Sequence, residues 1–163
     1  MSSKRIAKDF ANCSANAPTG MVVTLPVEGN MSVWHVQLEG PADTVYEGGK
    51  FGLVVALPEG FPFKPPTINF ATRIYHPNVT NDDFGNICLS MLKTDNWKPM
   101  FSLRTVLEAV RNLLVEPQPD DPLEARIADQ YRTERAEFDQ LARAAVAKYA
   151  SGEPTYPPVP AAS

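Results

Sequence analysis

The chain holds only two cysteines and two histidines, and one of each stands in a single short stretch, His76 and Cys88. A cysteine reacts as its thiolate, whose ordinary pKa is about 8.5. Pro77 biases His76 away from helical backbone, and Asn78 is a residue type that tolerates turns. Thr80-Asn81-Asp82-Asp83-Phe84-Gly85-Asn86 follows as a loop rich in turn formers. Ile87-Cys88-Leu89 is then a short apolar segment with a thiol in it. The pattern holds a carboxamide and a thiol on opposite sides of one loop. One chemistry for such a thiol is hydrolysis, which needs a histidine within hydrogen-bond reach, oriented by a third group. His76 is the nearby candidate, but its placement between Tyr75 and Pro77 suits a residue that shapes the loop. The bland alternative is that Cys88 is a small buried hydrophobe.

His76-Pro77-Asn78, the interval to Cys88, and the later Trp97 and Pro99 resemble the ubiquitin-conjugating enzyme family. The likeness runs from about Lys4 to Tyr149 and rests on several separate blocks. It implies that Cys88 receives ubiquitin, or a ubiquitin-like modifier, as a thioester from an activating enzyme. The acyl group then passes to a substrate lysine or a ligase cysteine. Exchange between thioesters is roughly neutral, whereas attack by an amine is downhill because an amide is more stable. The tetrahedral oxyanion needs a donor, and the resemblance implies Asn78; such donors are worth about 2.7–4 kcal/mol elsewhere. The incoming lysine must be oriented and shed a proton. Asp121 matches the family's position for that role, and Asp120 is the alternative if the loop turns differently.

Tyr75, His76, Pro77 and Ser90 are implied as supports of the site. Lys4, Arg5 and Lys8 are implied contacts for the activating enzyme and ligases. Phe63 is implied as an exposed ligase contact, with Pro99 and Met100 on a neighbouring loop. Asn96-Trp97-Lys98-Pro99 and Pro117-Gln118-Pro119 are similar to a branch of the family that discharges mainly to ligase cysteines. That branch has proline two places after its cysteine and histidine at the later acidic position, where this chain has Ser90 and Asp121. Lysine is therefore expected to serve as an acceptor beside cysteine. A non-catalytic relative that only binds ubiquitin or a ligase is the alternative class, and the presence of both Cys88 and Asn78 argues against it.

The bulk properties agree with an enzyme of one domain. A length of 163 residues fits a single domain, and an apolar fraction of 44% builds a core. A net charge of −4 gives no reason to expect nucleic acid as a partner. Two cysteines make no disulfide framework, and no Cys-x-x-Cys pair suggests zinc, so neither a metal nor a cofactor is expected. A reducing cytosol or nucleus is the natural setting. Met1-Ser2-Ser3-Lys4-Arg5 lacks an apolar signal region, and no apolar run is long enough to span a membrane. A monomer that binds ubiquitin, its activating enzyme and ligases is expected.

The elements that must position these residues read as an α+β fold. Ser3 to Asn12 predicts a short amphipathic helix capped by Ser3, with Ile6, Phe10 and Cys13 on its apolar line. On composition alone the basic residues Lys4, Arg5 and Lys8 make a solvated face, and Cys13 is a packing residue. Met21–Leu25, the alternating Val33 to Leu38, Phe51 to Leu57 and Thr67–Phe70 predict four strands joined by turns, an antiparallel meander. His35, on the second, is an ordinary surface or half-buried histidine. Phe61-Pro62-Phe63-Lys64-Pro65-Pro66 is a stiff connection that excludes a central strand; on composition Phe63 suits core packing or a binding anchor equally. Trp97 is expected to pack.

Ser102 caps a central helix with Val106, Leu107, Val110, Leu113 and Leu114 as its stripe. Three prolines at 117, 119 and 122 end it. Two more helices follow, marked by Leu123, Ile127 and Tyr131 and by Phe138, Leu141, Ala145 and Tyr149, with Thr133 as a possible cap of the second. The catalytic core is thus residues 1–150. Residues 151–163, with Pro154, Pro157, Pro158 and Pro160, predict a disordered tail or an extended recognition peptide.

Overall fold

The four runs predicted as strands become an antiparallel sheet in the computed structural model, which describes residues 3–159. The elements in chain order are α1 (Ser3–Ala15), β1 (Met21–Thr24), β2 (Val33–Glu39), β3 (Lys50–Ala56), β4 (Thr67–Phe70), one 3₁₀ turn (Ser90–Leu92), α2 (Leu103–Val115), α3 (Ala125–Thr133) and α4 (Arg135–Tyr149). The strands pair in sequence order as a four-stranded meander. Val36 faces Val23 on one side and Leu53 on the other, and Leu53 faces Phe70, so one row of the sheet is apolar throughout. Because successive side chains on a strand point to opposite faces, Trp34, Val36 and Leu38 all enter the core, and all three are buried.

The helical stripe of α2 fills the other half of that core. Leu103, Val106, Leu107, Val110, Leu113 and Leu114 are buried together with the inward residues of the sheet. Ser102 starts the helix as expected: its Oγ accepts from the Thr105 amide. Helix α1 extends beyond its predicted end at Asn12 to Ala15, and Ser3 is its first residue rather than its cap. Cys13 is fully buried, and desolvation pushes its thiol up to about 12, so it packs and does not react.

Two expectations at the C-terminal end fail for local reasons. Thr133 closes α3 and does not cap α4, because its Oγ1 donates back to the Asp129 carbonyl. Leu123 lies outside the helices and is exposed.

The stretch 151–159 differs from the disordered tail its composition predicts. Ala150 accepts from the Lys50 amide, which brings the end of α4 to the start of β3. The chain then crosses the outward face of the sheet. Lys50 pairs with Glu153, Tyr156 donates its hydroxyl to the Val36 carbonyl at 2.9 Å, and its ring stacks on His35 at 3.9 Å. Gly52 makes this approach possible: a Cβ there would come within 2.9 Å of Pro154 and Tyr156. A polyproline-like strap needs no partner strand, only a flat surface with a notch and a ring to stack on. Pro160 and the residues after it lie outside the described residues.

Candidate active site

The stretch from His76 to Cys88 folds as a tight loop with two paired arms. Val79 bridges to Ile87, the Cys88 amide donates to the Asn78 carbonyl at 2.9 Å, and the Thr80 amide donates to the Asn86 carbonyl. Asp82 closes the loop, its Oδ1 accepting from Thr80 Oγ1 and from the amides of Phe84 and Gly85. Those bonds, the Thr80 hydroxyl first, hold its carboxyl below the usual carboxylate range. Gly85 adopts φ +58°, and a Cβ there would lie 2.1 Å from the Phe70 carbonyl oxygen, so only glycine fits. The loop is thereby fixed to the end of β4.

His76 is fully buried, with both ring nitrogens engaged. Nδ1 accepts from the Asn78 amide at 2.9 Å, which leaves the proton on Nε2 for the Leu113 carbonyl at 2.8 Å. Burial pushes its pKa down to about 4. A neutral imidazole tied at both ends shapes the loop and has no nitrogen left for the thiol, which disposes of the hydrolase arrangement. Tyr75 supports from the other side: its carbonyl accepts from the buried Tyr46 hydroxyl, and its own hydroxyl donates to Gln130 Oε1 at 2.6 Å.

A second loop, 117–124, is laid against the first by Pro77 and Asn78. The Pro77 carbonyl accepts from the amides of Leu123 and Glu124. Asn78 is only 1% exposed, and its whole carboxamide is used: Nδ2 donates to the carbonyls of Gln118 at 2.8 Å and Asp121 at 2.9 Å, while Oδ1 accepts from the Gln118 amide at 2.8 Å. These bonds deliver the Asp121 side chain to the thiol. Cys88 Sγ donates to Asp121 Oδ2 at 3.2 Å, in a depression of about 280 Å³ that Asn78, Ser90, Leu113 and Gln118 also line. Asp120 faces away and pairs with Arg132, so the choice between neighbouring carboxylates falls to Asp121.

The same Oδ2 accepts from Lys93 Nζ at 2.6 Å, and Lys93 was not among the residues the sequence singled out. It follows the exposed Ser90, which opens the 3₁₀ turn after the cysteine. The three groups set one another's ionisation. Partial burial raises the Cys88 pKa, the Asp121 hydrogen bond and charge raise it further, and Lys93 opposes them. Asp121 is held low, first by its bond to Lys93 and then by the thiol. The Lys93 ammonium is stabilised in turn, chiefly by Asp121. The resting thiol is therefore protonated at neutral pH, unlike the depressed thiols of cysteine proteases.

The implied partner-contact residues divide. Phe63 and Met100 are 80% and 81% exposed, and Pro99 is exposed beside Met100. Their two loops are joined by Trp97, which packs as expected and donates Nε1–H to the Pro62 carbonyl at 2.8 Å. Lys4 and Lys8 are exposed on α1. Arg5 is different: it pairs with Asp9 at 2.6 Å, donates to the carbonyls of Pro99 and Phe101, and lies over the Phe61 ring. Helical spacing puts it beside Lys4 and Lys8, yet its planar fork fits those carbonyls and ties α1 to the loop at 99–101.

A larger groove of about 720 Å³ lies beneath the strap, among Val33, His35, Phe84 and Tyr156, and shares no lining residue with the thiol's depression. It holds no cysteine.

Residues 5–146 match the family model described as ubiquitin-conjugating enzyme. The chain is also 46% identical over 149 residues to ubiquitin-conjugating enzyme E2 14 of Schizosaccharomyces pombe, a match that covers 91% of this chain and 94% of that protein.

Proposed function

Because the chain belongs to the ubiquitin-conjugating enzyme family, we propose that Cys88 is the residue that accepts ubiquitin as a thioester, and that both lysine and cysteine serve as its onward acceptors. The observation that carries this reading is the 3.2 Å hydrogen bond from Cys88 Sγ to Asp121 Oδ2 in an open depression. A protonated thiol suffices for charging, because exchange between thioesters is close to neutral and needs only the fraction ionised at any moment. A carboxylate beside the acyl sulfur is what amine attack needs. The incoming nitrogen must be held and relieved of a proton while its bond to the carbonyl carbon forms and the carbon–sulfur bond breaks.

The bonds of Asn78 favour a role other than the oxyanion donor that the resemblance implies. Both hydrogens of its carboxamide are held by backbone carbonyls, so it reaches an oxyanion only by letting go of Gln118 or Asp121. Its bonds support the reading that it braces the loop that carries Asp121. Lys4, Lys8, Phe63, Pro99 and Met100 are proposed to meet the activating enzyme and ligases, on the strength of their exposure and of the bonds that join α1, the loop at 99–101 and Pro62. Two unpaired cysteines suit a reducing cytosol or nucleus.

The test is charging with ubiquitin, activating enzyme and ATP, read on a non-reducing gel. Wild type should give a band that a thiol reductant erases. Cys88→Ser should give a slower-forming oxyester that resists reductant, and Cys88→Ala no adduct. A reductant-sensitive adduct on Cys88→Ala would place the reaction at Cys13 and overturn the assignment. Running the same assay with several pairs of activating enzyme and modifier identifies which modifier is carried.

A further inference from the structure

The carboxylate that amine transfer needs already has a cation on it. Lys93 Nζ lies 2.6 Å from Asp121 Oδ2, the oxygen that also accepts from Cys88. A stiff backbone holds Lys93 there. Its amide donates to the Ser90 carbonyl, its own carbonyl accepts from the amides of Asn96 and Trp97, and Trp97 is anchored to Pro62.

We propose that Lys93 is a specificity-determining residue: it stands where an acceptor lysine would place its ammonium on Asp121 and biases the charged enzyme toward thiol acceptors. This rests on the thioester reading above. An acceptor lysine arrives as a cation. It must pair with the carboxylate, give up a proton there or to water, and then form the nitrogen–carbon bond as Cys88 Sγ leaves with the electrons of the carbon–sulfur bond and takes up the second proton that the nitrogen sheds. Lys93 repels that cation and has already neutralised part of the carboxylate. An acceptor cysteine reacts as its thiolate. That anion is drawn by Lys93, and it needs no base at the site. Once Cys88 is acylated its sulfur has no hydrogen to donate, so Oδ2 keeps Lys93. The carboxylate retains other lone pairs, so Lys93 tunes the choice and does not close it. The Lys93 and Asp121 side chains are 48% and 57% exposed, and an exposed pair is screened. The expected effect is therefore about fivefold, the upper end for such pairs.

The experiment charges wild type, Lys93→Gln and Lys93→Arg with ubiquitin, stops ATP use with a chelator, and follows single-turnover discharge to free lysine and to free cysteine. Rates are normalised to the thioester present. Lys93→Gln should raise the lysine-to-cysteine rate ratio about fivefold, chiefly by lowering the lysine concentration that gives half the maximal rate. Lys93→Arg keeps the cation and should keep the wild-type ratio. Added salt should bring the two ratios together, because it screens both the repulsion by Lys93 in wild type and the attraction of the bare Asp121 in Lys93→Gln. An unchanged or lower ratio in Lys93→Gln overturns the proposal, as does an arginine variant that behaves like glutamine. Discharge without added acceptor that leaves ubiquitin on Lys93 also overturns it, because the amine would then react rather than compete. Failure of the wild type to form any thioester is a different result. It removes the proposed function, and this inference with it.

Discussion

At the scale of single residues, one carboxylate oxygen governs two reactions with opposite demands. Asp121 raises the thiol pKa and so works against the free thiolate, yet a carboxylate at this point favours amine attack on the acylated enzyme. Asp121→Asn separates the two. Without the charge, the Cys88 pKa should fall, and the rate of thiol alkylation should rise at lower pH than in wild type. Lysine discharge from the thioester should drop by about 100-fold, the lower end for a positioned acid–base group, while discharge to cysteine changes little. Alkylation followed across pH and single-turnover discharge check the two halves. A fall in cysteine discharge as large as that in lysine discharge would mean that Asp121 shapes the site and does not assist the amine. Cys88, Asn78 and an acid of the loop after Pro119 were legible in the sequence through a motif whose blocks agree. The choice between Asp120 and Asp121 was not, because only the path of the loop turns one side chain to the sulfur and the other to Arg132. Lys93 was invisible, since it sits in a loop without periodicity and its partner is distant in sequence.

At the scale of elements, the site is two loops fastened edge to edge, and Asn78 is the fastening. Asn78→Ala would remove three hydrogen bonds and leave the carbonyls of Gln118 and Asp121 without that donor. The expected cost is about 1–3 kcal/mol, a fall in melting temperature of several degrees for a domain of this size. With the loop loosened, Asp121 should drift from the thiol, so the Cys88 pKa should fall in the same variant. An oxyanion donor with no bracing role predicts another pattern: unchanged melting temperature, unchanged thiol pKa, and slower discharge to lysine. A thermal melt and a thiol titration on one preparation decide between them. The strands and the central helix were readable because alternation and a helical stripe are local signals, and the meander followed from turns too short for crossover helices. The bonds of Arg5 to the loop at 99–101 were not readable, because helical spacing says which face a residue takes but not which distant loop lies within its reach.

At the scale of the whole molecule, the tail docks on a groove that shares no lining residue with the thiol's depression, and its hold has a pH dependence built in. Composition pointed to disorder because docking depends on partners far back in the chain, the notch at Gly52 and the ring of His35. Tyr156 is the titratable group stacked on His35, whose strand neighbours are Thr24 and Val54; Asp83 lines the same groove, and Lys50 is engaged with Glu153 at the start of the strap. His35 Nε2 is buried without a hydrogen-bond partner, and burial lowers the ring's pKa. The docked strap thus disfavours the imidazolium. The undocked imidazole titrates near its ordinary value of about 6.5. Docking is therefore complete above that pH and weakens as pH falls below it, because the open state then binds the extra proton. Two variants test the linkage, Tyr156→Ala and a chain ending at Ala150. In both, the His35 ring protons followed by NMR should titrate at the ordinary value, against a lower one in wild type. In wild type the Tyr156 ring signals should move toward their unstructured positions as pH falls below about 6.5. His35→Gln should abolish that movement while the strap stays docked. If His35 titrates identically with and without the strap, the stacking seen at 3.9 Å does not couple to protonation, and the strap's hold rests on the Val36 hydrogen bond, the Lys50–Glu153 pair and the fit at Gly52.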